Sequence, residues 1–146
     1  MKISLGADHR GFKYKELIKK LLTAKGISFE DFGTLSEDSA DFSDYGIKAA
    51  EAVAKKDVDY GIVICGTGNG MAMAANKVKG VRAGLASNVD MARLTRAHND
   101  ANVLVLSEMF TPEKQLADII NVFLNTEFEG GRHARRIGKI IDYEQG

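Results

Sequence analysis

The sequence predicts a three-layer α/β/α domain in which helices cover both faces of a mainly parallel, five-stranded sheet. Three observations carry this. Short apolar, β-branched runs recur at Lys2–Ala7, Ile27–Phe32, Val58–Cys65, Val81–Ser87 and Val103–Leu106, and segments of helical period lie between them. The runs are continuously apolar, as in Gly61-Ile62-Val63-Ile64-Cys65, which is the pattern of strands buried on both faces. With 146 residues the chain has room for one such domain, spanning 1–146, and not for two.

After the first strand, Tyr14, Leu17, Ile18, Leu21 and Leu22 repeat at i, i+3, i+4 and make one apolar stripe, and Gly26 stands where a helix C-terminal cap belongs. Helices are also expected over Asp41–Lys56, Gly70–Lys79, Asn88–Ala97, Pro112–Thr126 and Gly131–Tyr143. Pro112 suits a first turn with Thr111 as its cap, because proline has no amide hydrogen to lose there. No repeat, linker or low-complexity tract interrupts the alternation.

Composition narrows the function. Twenty basic and twenty acidic side chains cancel, so no global field draws the chain to nucleic acid or to an anionic membrane. The uncharged stretch from Tyr60 to Asn76 is broken by the turn chemistry of Gly66 to Gly70 and is not a membrane span. One cysteine excludes an internal disulfide, and residues 1–6 hold neither the basic stretch nor the apolar run of a signal peptide, so a reducing cytoplasm is expected.

In open parallel sheets, ligands sit beyond the carboxyl ends of the strands. There the sequence places Cys65-Gly66-Thr67-Gly68-Asn69-Gly70, whose backbone amides at a helix start can face one oxyanion. No Gly-Lys-Ser/Thr follows, and Met71 and Met73 spoil the dinucleotide fingerprint, so nicotinamide binding is not expected. A thiol at that turn can be held as thiolate and serve as base or nucleophile, although a lone cysteine is also an ordinary small core residue. With His98-Asn99-Asp100 the residue types of a cysteine hydrolase are present. Asp8-His9-Arg10-Gly11 closes the first strand and reads either as a ligand site or as a helix cap with Arg10 paired at the surface. Arg132 and Arg136 share a helix face beside His133, and cations in a first helical turn oppose the dipole unless an anion lies between them, which points to phosphate. A solvated charged face is the other reading. The three histidines show no metal-site spacing.

Gly6-Ala7-Asp8-His9-Arg10-Gly11-Phe12, the Cys65–Gly70 loop, Ala75-Asn76-Lys77, His98-Asn99-Asp100-Ala101-Asn102-Val103 and Glu129-Gly130-Gly131-Arg132-His133 together, in order over nearly the whole chain, resemble the ribose-5-phosphate isomerase B family and its galactose-6-phosphate isomerase relatives. The resemblance implies a Rossmann-like domain and an aldose–ketose isomerase of sugar phosphates, ribose-5-phosphate foremost, that uses neither metal nor cofactor. It further implies a homodimer, or a dimer of dimers, whose sites are shared between subunits through the helix near 131–143. Carried over, it makes Cys65 the base and His98 with Thr67 the ring-opening pair. Gly66, Gly68, Asn69 and Gly70 then hold the enediolate, Asp8 and Asn99 the hydroxyls, and His9, Arg132 and Arg136 the phosphate. Six-carbon sugar phosphates, such as those of allose or galactose, are the neighbouring substrates, and a phosphate- or nucleotide-binding module is the non-catalytic alternative. The chain departs from its relatives at Asp41-Phe42-Ser43, where they commonly have Asp-Tyr-Pro, and at Met109, where several have a phosphate-binding arginine.

Overall fold

A computed structural model describes residues 1–146. Five strands, β1 (Lys2–Ala7), β2 (Ser28–Asp31), β3 (Tyr60–Cys65), β4 (Ala83–Leu85) and β5 (Val103–Ser107), pair in the order β2-β1-β3-β5-β4, every pair parallel. Six α-helices, α1 (Phe12–Ala24), α2 (Phe42–Ala54), α3 (Asn69–Asn76), α4 (Val89–Asn99), α5 (Leu116–Asn125) and α6 (Arg132–Gln145), complete the expected three-layer arrangement. No helix is long and apolar enough to cross a membrane.

The core has two halves because the strands bury both faces. Ile3, Leu5, Ile62, Ile64, Leu104 and Leu106 meet Ile18 and Leu22 of α1, Ala92 of α4 and Ile119 and Phe123 of α5 on one side. Val63, Val103 and Val105 meet Ala49, Ala50 and Val53 of α2 and Met71 and Ala75 of α3 on the other. At the edge strand, the Asn76 side chain takes over the missing ladder: its Oδ1 accepts from the Ala83 amide at 2.8 Å and its Nδ2 donates to the Ala83 carbonyl at 3.0 Å. That occupies exposed backbone that would otherwise invite another strand.

Helix ends follow local chemistry. The end of α1 is a Schellman motif: Gly26 has φ +70°, its amide donates to Thr23 and the Ile27 amide to Leu22. Asn88 caps α4, its Oδ1 accepting from Met91 N at 2.8 Å. The expected helix at Pro112 is corrected. Pro112 has ψ 135° and stands outside a short 3₁₀ turn, Glu113–Gln115, before α5 begins, and the Thr111 hydroxyl caps nothing. The Tyr14 hydroxyl, donating to the Thr111 carbonyl at 2.6 Å, ties this connection to α1 instead.

One polar cluster lies within this frame. Lys15 of α1 is fully buried, with Nζ 2.6 Å from Asp31 of β2 and 2.9 Å from Glu16, and Lys19 reaches the same two carboxylates. For Asp31, burial raises the proton affinity, but hydrogen bonds from Lys15, the Gly33 amide and Lys19 outweigh it and hold the carboxyl below its ordinary value; Lys15 and Lys19 do the same for Glu16.

Candidate active site

The chain runs from β1 to β2 on one side and crosses to β3 on the other, so the switch point of the sheet lies between the carboxyl ends of β1 and β3. Asp8 and Cys65 leave those two ends. Asp8 is largely buried, and its Oδ1 accepts from the Gly11 amide at 3.0 Å, which fixes the carboxylate at the start of the turn. Gly11 is required there, because a Cβ would drive into the Ile64 carbonyl. Asp8 therefore closes the turn before α1 and does not cap it, contrary to the helix-cap reading: the N-cap is Gly11, and no side chain caps the helix. His9 is held by Ala40, with Nδ1 3.1 Å from its amide nitrogen and 3.3 Å from its carbonyl oxygen.

Cys65 is buried and unpaired, the last residue of β3. The Cys65 carbonyl accepts from Glu108 N and that of Gly66 from Met109 N, each at 3.0 Å, and Ser107 Oγ donates to Gly66 at 2.8 Å, so the loop is stitched to the end of β5. Gly68 turns the chain with φ +88°, a conformation a side chain resists. Thr67 Oγ1 accepts from Asn69 N at 3.2 Å, and α3 begins at Asn69. Amides from Gly66 to Gly70 thus gather at a helix start, where developing negative charge is stabilised. Phe42 packs on Gly70 so closely that a Cβ there would be 2.9 Å from its ring.

The remaining expected residues lie elsewhere. His98 and Asn99 end α4, just before the chain enters β5: the Asn102 carbonyl accepts from Gly61 N, the Asn99 carbonyl from Arg82 Nε and the Ala97 carbonyl from Glu129 N. Gly61 pairs with Val103 and Cys65 with Ser107, so these two levels of the sheet are separated by roughly 13 Å of strand. Within one chain, then, Cys65 does not meet His98, and the cysteine-hydrolase constellation is not formed. α6 starts at the His98 end, with Arg132 and Arg136 exposed and without acidic partners. The fold brings Asp8, His9 and the Cys65–Gly70 loop together, and separately His98, Asn99, Arg132 and Arg136.

Spacing along the chain did not reveal the company His98 keeps. Its ring stacks on His133 at 4.2 Å and 9°, and Glu129 Oε1 lies 3.8 Å from His98 Nε2 and 3.5 Å from His133 Nε2. The i, i+4 pair Glu129–His133 was the legible half of this cluster; His98 joins it only in three dimensions. The three side chains are of metal-ligand type, with ligand atoms within 4.8 Å of one another. However, near-parallel stacked imidazoles direct their in-plane lone pairs side by side and not onto a common ion. His133 is buried with Nε2 unpartnered, and burial, with the neighbouring His98 and Arg132, pushes its proton affinity below the ordinary imidazole value.

A thiol at the switch point beside a glycine-rich helix start, with Asp8 and His9 at the neighbouring strand end and His98, Arg132 and Arg136 gathered apart from it, is the residue set of an acid–base enzyme for a small anionic substrate. The chain belongs to the ribose/galactose isomerase family, whose model matches residues 3–140. It is 41% identical over 144 residues to ribose-5-phosphate isomerase B of Escherichia coli, covering 99% of this chain and 97% of that one. Its structure superposes on ribose-5-phosphate isomerase B of Clostridium thermocellum with TM-score 0.97 at 48% identity, over 99% of this chain and 98% of the other. On the Mycoplasma genitalium enzyme with bound ribulose-5-phosphate, the TM-score is 0.94 at 44% identity, over 99% and 96% of the two chains.

Proposed function

We propose that the protein interconverts ribose-5-phosphate and ribulose-5-phosphate, moving a proton between adjacent carbons through an enediolate. The position of Cys65 carries this reading, a free thiol at the switch point directly under the amide-rich loop. In the open-chain aldose the thiolate takes the proton from C2, the C–H electron pair becomes the C1–C2 double bond, and the carbonyl oxygen takes the negative charge. The amides of Gly66 to Gly70 meet that charge, which exists only along the reaction path. The O2 hydroxyl proton passes to O1, and the thiol then gives a proton to C1, so that C2 becomes the carbonyl and C1 the hydroxymethyl carbon. Asp8 receives sugar hydroxyls, and His9 contacts the phosphate.

His98, with Thr67, opens the sugar ring; Asn99 contacts hydroxyls, and Arg132 and Arg136 hold the phosphate. The depth of the sheet between His98 and Cys65 supports a site completed by a second copy of the chain, that is, a homodimer with two shared sites. The surface beside α6 supports it as well: Ile140, Ile141 and Tyr143 are exposed, and a groove of about 370 Å³ is lined by Val81, Thr95, Asn99, Ile137 and Ile140. The need for a reduced Cys65 supports a cytoplasmic enzyme of the non-oxidative pentose phosphate pathway. A six-carbon sugar phosphate is the second reading, favoured by Phe42 and Met109, which pack on Gly70 and Gly66 at the two ends of the loop. An isomerase assay on five- and six-carbon aldose phosphates, with chelator present, tests both: fastest turnover of ribose-5-phosphate is expected. A six-carbon preference would replace the substrate, and no turnover of any would remove the function.

A further inference from the structure

Arg10 is the one arginine whose side chain lies on the glycine loop. Its Cγ and Cβ stand 3.8 and 3.9 Å from the place of a Cβ on Gly66, with Met109 Sδ at 3.8 Å beside them. From there the guanidinium reaches Glu108, the residue after β5, Nη2 to Oε2 3.5 Å. That is too long for a charge-assisted hydrogen bond, which closes to about 2.7–2.9 Å, and Glu108 Oε2 is buried without any hydrogen-bond partner. Arg82 and Arg96 are different: their donors are spent on the carbonyls of Asn99, Asp100, Ala101 and Thr126, where they serve the fold. Arg10 is half exposed, steered by charge alone, and keeps its donors free.

The turn that carries it is fixed on both sides, by Asp8 on the Gly11 amide and His9 on the Ala40 amide. The enediolate oxygen is met by backbone amides, which leaves the phosphate as the substrate group whose charge and oxygen geometry match a forked guanidinium. We propose that Arg10 exchanges Glu108 for the substrate phosphate, so that each chain contributes a guanidinium of its own to the phosphate subsite, and that this contact selects phosphorylated over free sugars. The inference rests on the isomerase reading and deepens it.

The test compares wild type, Arg10→Ala and Arg10→Lys on ribose-5-phosphate and on ribose, and measures inorganic phosphate binding by calorimetry. Arg10→Ala is expected to raise KM for ribose-5-phosphate about tenfold or more and to weaken inorganic phosphate by a similar factor. Its kcat should stay within about twofold, and kcat/KM for ribose should be unchanged, because a remote group is being read. Arg10→Lys should recover part of the loss. Equal losses on both sugars, or unchanged KM and phosphate affinity, would overturn the proposal. If wild type fails to isomerise ribose-5-phosphate while Arg10→Ala still weakens phosphate binding, the isomerase reading fails and the anion contact stands.

Discussion

Mixing two inactive variants tests the split site with a number. In the proposed mechanism Cys65→Ala removes the base and His98→Asn the ring-opening imidazole, and the sheet sets their two levels roughly 13 Å apart in one chain. In an isologous dimer each site takes Cys65 from one chain and His98 from the other. After subunit exchange at equal concentrations, about half of the dimers are hybrids, and each hybrid carries one site with both groups intact and one with neither. The mixture should therefore reach about a quarter of wild-type activity at the same total chain concentration, while each variant alone stays near zero. A ribulose-5-phosphate formation assay reads the recovery, and native mass spectrometry confirms that hybrids have formed. Hybrids without recovered activity would show that both groups serve the same site from one chain, and the shared-site account would fall.

Three further outcomes follow from the packing. Lys15→Met removes the fully buried partner of Asp31 and should lower the unfolding free energy by about 3 kcal/mol, whereas adding Asp31→Leu should recover much of it; urea denaturation measures both. Gly68→Ala places a Cβ 2.6 Å from Leu85 Cδ1 at φ +88° and should cost about 1–3 kcal/mol and lower kcat by shifting the loop, seen as an earlier denaturation midpoint. The pH dependence of stability has two windows. His133 binds its proton less readily folded than unfolded, so stability should fall as pH drops through the unfolded value of 6.5, and less so in His133→Asn. Glu16 and Asp31 are depressed in the fold, so their contribution is present above the unfolded values of 4.5 and 3.8 and is lost as pH falls through the lower folded ones.

How much was legible in the sequence depended on range. Gly26 marked the end of α1 because a positive-φ residue after a helix is a local requirement, and the unbroken run Gly61–Cys65 announced a doubly covered strand and the loop after it. Pro112 misled because its fixed φ suits both a helical first turn and the extended residue before one, and only ψ separates them. The stacked His98–His133 pair, the Arg10–Glu108 approach and the burial of Lys15 join residues far apart in the chain, so no spacing rule could display them. Candidate residues at Cys65 and His98 could be named from motifs, but their separation followed from β3 and β5 being parallel neighbours, a property of the assembled sheet.

Isomerisation of ribose-5-phosphate in heavy water tests the central claim most directly. Proton transfer by a thiol that exchanges with solvent should place deuterium on C1 of the ribulose-5-phosphate formed, detectable by NMR, and Cys65→Ala should abolish both turnover and label while the sugar phosphate still binds. A Cys65→Ala protein that turns over and labels C1 at the wild-type rate would contradict the thiol-catalysed enediolate mechanism.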